Sequence, residues 1–205
     1  MKLFRTFKEI VDPAHTCLVV WDVQNRLVDS IFNREDFLRS LKAFLEEARK
    51  KEVPIIYTKI GSLPMAYESG WRTYILLKRY KIDDPAKIAQ FARTGTHEDE
   101  INSAVAPSRE DIVLDDKYTA NIFIGTSFEN MMRNRGVETI LFTGISTEYG
   151  VESSARDASN RGFYTVVVSD CVSSANREMH DASLRVLDKL CIVTSSSDIM
   201  AQWKG

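Results

Sequence analysis

The sequence predicts a single α/β domain over residues 1–205, a three-layer α/β/α sandwich around a six-stranded, mostly parallel, Rossmann-like sheet. Six short runs rich in β-branched and aromatic residues have the continuous apolar character of strands that are buried on both faces. Segments with helical periodicity lie between these runs. Most runs begin roughly 30 residues after the previous one, which is the length of one right-handed β-helix-β crossover.

The six predicted strands cover residues 17–21, 53–58, 112–114, 139–143, 164–169 and 190–194. Apolar residues at helical spacing predict helices near residues 37–48, 128–132, 151–158 and 179–187. Gly136 and Gly162 stand where the second and third of these helices should end, because glycine suits the left-handed backbone of a helix C-terminus.

The segment 60–110 is too long for one crossover and is predicted to be a helical insertion folded over the sheet, as a lid or a subunit contact. It contains helix-like pieces at 71–80 and 85–91, with Pro64 and Pro107 as breaks on either side. Because these pieces are short, we expect an elaboration of one domain and not a second domain.

Composition excludes several classes of function. The chain has 205 residues with 27 Lys+Arg and 29 Asp+Glu, a formal net charge of −2, so it offers no basic footprint for nucleic acid or anionic lipid. No apolar run approaches the ~18 residues of a membrane helix, and no secretory signal is expected. The three scattered cysteines do not form a disulfide framework, which favours a reducing cytoplasm.

Polar residues follow the predicted strands at the edge where parallel sheets bind ligands. Asp22 and Gln24 follow the first strand, Lys117 the third and Gly150 the fourth. Each alone has a simpler explanation, as a helix cap, a solvated lysine or a turn glycine. Together they place an acid, a base and a helix start at one sheet edge, which favours a functional site.

Three stretches, in the same order as these residues, resemble one known family. They read Leu-Val-Val-Trp-Asp-Val-Gln-Asn at 18–25, Lys-Tyr-Thr-Ala-Asn-Ile-Phe-Ile-Gly-Thr at 117–126, and Gly-Ile-Ser-Thr-Glu-Tyr-Gly at 144–150. This pattern resembles the isochorismatase-like hydrolases, which include nicotinamidases and N-carbamoylsarcosine amidases. The resemblance implies that Asp22 and Lys117 are catalytic, that a cis peptide joins Ile145 and Ser146, and that the protein is a homodimer or homotetramer.

One position departs from the amidase members of that family. Gly150 stands where they carry a nucleophilic cysteine, and glycine cannot form an acyl-enzyme. Cys17 and Cys191 open strands and Cys171 follows the fifth predicted strand, so none is expected to replace it. The three histidines are too scattered for a metal cluster, and we expect neither a metal nor a cofactor.

The resemblance extends to members that hydrolyse isochorismate, which also carry glycine at this position. Their substrate is a vinyl ether, so the reaction needs a proton donor and not a nucleophile; Asp22 is then the general acid, assisted by Lys117. The expected partner is a small carboxylated substrate, contacted by Gln24, Ser146, Tyr149 and, from the insertion, Arg72. Two alternatives stay open. One is a family hydrolase for another small substrate, such as an amide, with Cys171 or an activated water as the attacking group, and the other is an inactive member retained for binding or assembly.

Overall fold

A computed structural model describes residues 3–61, 63–85, 87 and 95–204. All six strands are parallel and form one sheet in the order β3-β2-β1-β4-β5-β6. The strands are β1 Thr16–Trp21, β2 Ile55–Ile60, β3 Ile112–Lys117, β4 Thr139–Ile145, β5 Tyr164–Ser173 and β6 Ile192–Thr194. The predicted single α/β domain with a six-stranded parallel sheet is therefore confirmed.

The two central strands explain why the apolar runs are continuous. Every residue of β1 and of β4 is buried, because helices cover both faces of the sheet and leave no solvent side. The two strands pair in register from Thr16 with Thr139 to Trp21 with Gly144. This pairing places the carboxyl ends of β1 and β4 side by side.

Four strands continue past the ends that the apolar pattern predicts. β2 runs to Ile60, β3 to Lys117, β4 to Ile145 and β5 to Ser173. Backbone pairing needs no apolar side chain, so polar residues extend a ladder that the pattern cannot detect. The register also shifts between Phe142 and Gly144, where β4 and β5 pair. Lys117 and Cys171 thus belong to strands and do not follow them.

Eight α-helices are assigned among the described residues. They are α1 Phe7–Ile10, α2 Asn25–Val28, α3 Arg34–Lys50, α4 Gly70–Tyr80, α5 Phe128–Arg135, α6 Glu152–Asn160, α7 Arg177–Leu187 and α8 Ser196–Gln202. Helices α3 and α8 pack on one face of the sheet, and α5, α6 and α7 pack on the other. Gly136 ends α5 in the left-handed conformation, as predicted. None of the described helices combines the length and the apolarity that crossing a bilayer requires.

The insertion contains α4, which matches the helix predicted at 71–80, and 3₁₀ turns at Met65–Tyr67, His97–Asp99 and Ser103–Val105. The helix predicted at 85–91 lies largely outside the described residues. Residues 97–105, which we call the strap, pass over the carboxyl end of β1, where Ile101 forms an isolated antiparallel bridge with Gln24. The strap therefore covers the sheet edge at which the candidate residues lie.

Candidate functional site

The structure brings Asp22 and Lys117 together at the carboxyl edge of the sheet. Lys117 Nζ lies 2.9 Å from Asp22 Oδ2, and the two side chains are 0% and 6% exposed. Asp22 follows β1 and Lys117 ends β3, so the strand between them, β2, lies beneath the pair. Lys117 Nζ also donates to the backbone oxygen of Thr119 at 3.3 Å.

Thr58, on β2, completes the environment of the carboxylate. Its hydroxyl donates to Asp22 Oδ1 at 2.6 Å and accepts the backbone N–H of Asp22 at 3.2 Å. Asp22 itself has a φ of +43°, a left-handed conformation that is uncommon for a residue with a side chain. Such strain is often found at functional sites, because the surrounding structure must hold it in place.

Burial has the largest effect on the pKa of Lys117. Removal from water lowers the pKa of Lys117, the Asp22 carboxylate opposes that change, and the positive charge of Arg72 lowers the pKa further. The hydrogen bonds from Lys117 and Thr58 are of the kind that stabilise a carboxylate. Proton exchange between Nζ and Oδ2 would turn this ion pair into a neutral amine and a carboxylic acid.

Gly150 lies against the indole of Trp21, the last residue of β1. A Cβ built on Gly150 would come within 2.0 Å of Trp21 Cε2 and Nε1, far below any normal contact. Trp21 is 2% exposed, and the Lys117 Nζ atom lies 4.2 Å from the centroid of its ring. The indole thus takes the volume beside Asp22 and Lys117 that a side chain at position 150 would need.

The segment before Gly150 is held in an unusual backbone. Gly144 has a φ of +108°, and a Cβ there would meet the Trp21 backbone oxygen at 2.1 Å, so β1 and β4 approach too closely for any side chain. The Ile145–Ser146 peptide bond is cis. A π-helical turn, Thr147–Val151, follows and leads into α6. Turns of this kind are frequent at functional sites.

Two predicted substrate contacts lie at the outer part of the site. The Arg72 guanidinium, on α4, donates to Glu68 Oε2 at 2.9 Å and to the backbone oxygen of Gly61 at 3.0 Å. Tyr149 is 39% exposed, and the guanidinium of Arg79 lies 4.4 Å from its ring centroid. Both side chains are near solvent, but Arg72 is already engaged by a carboxylate.

Gln24, which we expected to contact the substrate, has its side-chain amide bound to other residues of the protein. Its side chain is fully buried, its Nε2 donates to Asp99 Oδ1 at 2.6 Å, and its Oε1 accepts the backbone N–H of Ile60 at 3.0 Å. Lys59 Nζ binds the second oxygen of Asp99 at 2.9 Å. Both amide atoms of Gln24 are therefore used to tether the strap to β2.

The three cysteines are shielded from solvent to different degrees. Cys17 and Cys171 are buried and Cys191 is half-buried. Burial raises the pKa of all three thiols above the usual range. Cys171, which sequence alone places after the fifth strand, lies within β5 and packs in the same apolar core as Val20 and Val168. These thiols are held in the neutral form, which is a poor nucleophile.

Two surface cavities lie away from the Asp22–Lys117 pair. One, of about 410 Å³, is lined by Tyr74, Lys81 and neighbouring residues at the end of α4. The other, of about 450 Å³, is lined mainly by apolar side chains beside β3 and α5, among them Ile112 and Met131. Neither is lined by the pair, whose described neighbours include Trp21, Thr58 and the backbone oxygen of Thr119.

The sequence pattern does not mark Trp21, Thr58 or Asp99 as site residues. Trp21 and Thr58 sit inside apolar runs, where they count as core residues, and their position at a strand end was their only signal. Asp99 lies in the insertion, whose path over the sheet no periodicity reveals. All three act through neighbours that are distant in sequence.

Known proteins similar to this chain give a consistent answer. The family model "Isochorismatase domain" matches residues 16–198. A ureidoacrylate amidohydrolase, RutB of Methylobacterium radiotolerans, is 29% identical over 191 residues, covering 85% of this chain and 73% of that protein. A maleamate amidohydrolase of Pseudomonas putida is 37% identical over 100 residues, covering 48% of this chain and 46% of that protein.

Solved structures share the fold. A cysteine hydrolase from Pseudomonas syringae pv. phaseolicola has a TM-score of 0.81 at 20% identity, with 94% of each chain covered. N-carbamoylsarcosine amidase from Thermoplasma acidophilum has a TM-score of 0.64 at 24% identity, covering 88% of this chain and 96% of that one.

Proposed function

Because the chain belongs to the isochorismatase family, we propose that it is a hydrolase of a small carboxylated substrate that works by proton transfer, without a covalent acyl-enzyme. The observation that carries this proposal is the buried contact of 2.9 Å between Lys117 Nζ and Asp22 Oδ2, next to a glycine at position 150. In this proposal the pair supplies the acid and the base, and position 150 carries no side chain that could act as a nucleophile.

The pair contains its own source of protons. Movement of one proton from Lys117 Nζ to Asp22 Oδ2 makes Asp22 a carboxylic acid and Lys117 a neutral amine. Burial makes the proton of Lys117 easier to lose, since it lowers the pKa of this ammonium. A substrate that excludes the remaining water strengthens the same effect, because a dry site penalises two separate charges.

A vinyl ether such as isochorismate suits this chemistry. Asp22 donates its proton to the terminal enol carbon, the double bond shifts, and an oxocarbenium ion forms. Water adds to the cationic carbon and gives its extra proton to the Lys117 amine. The hemiketal then collapses: the ether C–O bond breaks, the hydroxyl proton passes to the leaving alkoxide, and pyruvate and an alcohol are released.

Glycine at position 150 is consistent with this route, and the cysteines support it. Each thiol has a pKa that burial raises above its usual value. Cys17 opens β1 at the edge of the sheet opposite to Asp22. We therefore assign no nucleophilic role to Cys17, Cys171 or Cys191.

Amide hydrolysis is the second candidate, and the printed names of the relatives favour it, since both sequence relatives described above are amidohydrolases. In this chain the nucleophile would be a water molecule. The Asp22 carboxylate would accept a proton from that water, and the Lys117 ammonium would stabilise the oxyanion. The same two residues thus serve both candidate reactions.

One pair of assays separates the candidates: release of pyruvate from isochorismate and release of ammonia from maleamate. We expect pyruvate from the wild-type enzyme and a loss of about 100-fold or more in Asp22→Asn, the usual contribution of a general acid. Asp116→Asn, which removes an exposed carboxylate next to Lys117, is the matched control and should retain the wild-type rate.

Ammonia alone would contradict the vinyl-ether route and favour amide hydrolysis. If neither product exceeded the Asp22→Asn background, the hydrolase proposal would be overturned. A role in binding or assembly would then be the remaining candidate.

A further inference from the structure

Trp21 does more than fill the core. We infer that Trp21 is the positioning residue of this site: its indole holds the Lys117 ammonium toward Asp22 and occupies the volume from which residue 150 would otherwise act. Residues 21 and 150 then exclude each other by size, and the pair Trp21–Gly150 limits the site to proton transfer. This inference deepens the proposed function and rests on it for the chemistry, but the geometry stands independently.

Exclusion by size follows from sheet order and register. β1 and β4 are neighbours, and Trp21 pairs with Gly144, the residue six positions before Gly150. The turn that follows β4 brings Gly150 back over the end of β1, onto the indole. A Cβ at position 150 would lie 2.0 Å from Cε2 and Nε1 and 2.3 Å from Cζ2. Three ring atoms are involved, so a small adjustment of one atom does not relieve the overlap.

The ring has little freedom to move away. Trp21 is 2% exposed and belongs to the apolar core that α5, α6 and α7 form on one face of the sheet. A tryptophan packed in this way is held by contacts on every side, and displacement forces neighbours from their rotamers. Position 150 must therefore stay without a side chain while residue 21 is tryptophan.

Positioning follows from the contact with Lys117. The ammonium lies 4.2 Å from the ring centroid, within the range of a cation–π contact. The other groups that act on Lys117 are Asp22, the backbone oxygen of Thr119 and the more distant positive charge of Arg72. The indole thus fixes the direction of the Nζ atom toward Asp22, and its stabilisation of the ammonium acts against burial, which lowers the pKa of Lys117.

Size exclusion is tested by urea unfolding of four proteins: wild type, Gly150→Ala, Trp21→Leu and the double variant. We expect Gly150→Ala to lower the urea midpoint of the wild type by about 0.5–1 M, the usual effect of overpacking in a domain of this size. In the Trp21→Leu background the same change should leave the midpoint within about 0.2 M. Equal losses in the two backgrounds would overturn the inference.

The experiment stays decisive if Gly150→Ala does not fold. A folded double variant then supports the inference, because leucine has made room for the Cβ. An unfolded double variant, alongside a folded Trp21→Leu, contradicts it. Neither result depends on turnover, so failure here is distinct from failure of the proposed reaction.

Positioning is tested by NMR titration of the Lys117 side chain in ¹³C,¹⁵N-labelled protein, with Lys117→Met to assign the signal. Without the indole, the Lys117 titration should move to lower pH by about half a unit, the size expected of a cation–π contact. Trp21→Phe keeps an aromatic face and should restore most of the difference. Titration at the same pH in wild type and Trp21→Leu would show that the ring has only a structural role.

Discussion

At the scale of single residues, the carboxylate of Asp22 is held from two sides. Lys117 Nζ and the Thr58 hydroxyl each take one of its oxygens, and Thr58 also binds the Asp22 backbone N–H. This arrangement keeps a backbone with a φ of +43° in place. Thr58 is therefore expected to orient the carboxyl group of Asp22, although it transfers no proton in the proposed reaction.

Replacing Thr58 by valine keeps the shape of the side chain and removes both hydrogen bonds. We expect a loss of about 1–3 kcal/mol in the free energy of unfolding, because a buried polar group is left without its partner. Hydrolytic activity should fall as well. Thr143→Val is the matched control, since Thr143 is buried on β4 and its hydroxyl donates to the Val19 backbone oxygen. Similar activities in the two variants would contradict a role for Thr58 at the site.

At the scale of elements, α7 carries a histidine that links the turn at 147–151 to stability at low pH. His180 Nδ1 lies 2.8 Å from Thr147 Oγ1. Burial lowers the pKa of His180, Arg177 lowers it further, and Asp181 and Glu148 act in the opposite direction. The neutral imidazole is thus the form that suits the folded protein.

The sign of the pH effect follows from this direction. As the pH falls below about 6.5, the unfolded chain binds the histidine proton first, so the folded state loses stability until its own His180 is protonated. Above that pH both states are neutral. We expect wild type to lose more stability than His180→Asn between pH 8 and pH 5, as measured by urea unfolding. His97→Asn, at an exposed position, should follow wild type; if it matched His180→Asn, the assignment would be wrong.

The strap is held in place by the buried carboxylate of Asp99, which binds one ammonium and one side-chain amide. Asp99 accepts from Gln24 Nε2 and Lys59 Nζ, and its side chain is 6% exposed. Asp99→Asn leaves Lys59 without its anion, so we expect faster amide hydrogen exchange at Asn102 and Val105, and lower global stability by about 1–3 kcal/mol. Glu100→Gln changes an exposed residue of the same strap and should leave exchange unaltered. Equal exchange in both variants would argue against Asp99 as the tether.

At the scale of the whole molecule, sequence pattern was sufficient for the sheet and for part of the site. Continuous apolar runs reveal buried parallel strands, and polar residues after β1 and at the end of β3 point to one edge. Asp22 and Lys117 do meet there, at 2.9 Å. The role of Trp21 could not be seen in the same way, because its contact with Gly150 depends on β1 lying beside β4. The pairing of strands that are distant in sequence determines which strands are neighbours, and the pattern of apolar residues along the chain does not show that pairing.

The sheet order has a consequence for how the protein reaches its native state. Asp22 and Lys117 are 95 residues apart in sequence, and β2 lies between their strands. Closing such a long loop costs chain entropy before any contact repays it, which makes non-local pairing slow. During synthesis the carboxylate therefore exists without its cation until β3 has emerged and docked at the edge of the sheet. β3 is the edge strand on that side and carries Lys117, the cation that pairs with Asp22. The site therefore forms only when this half of the sheet is complete.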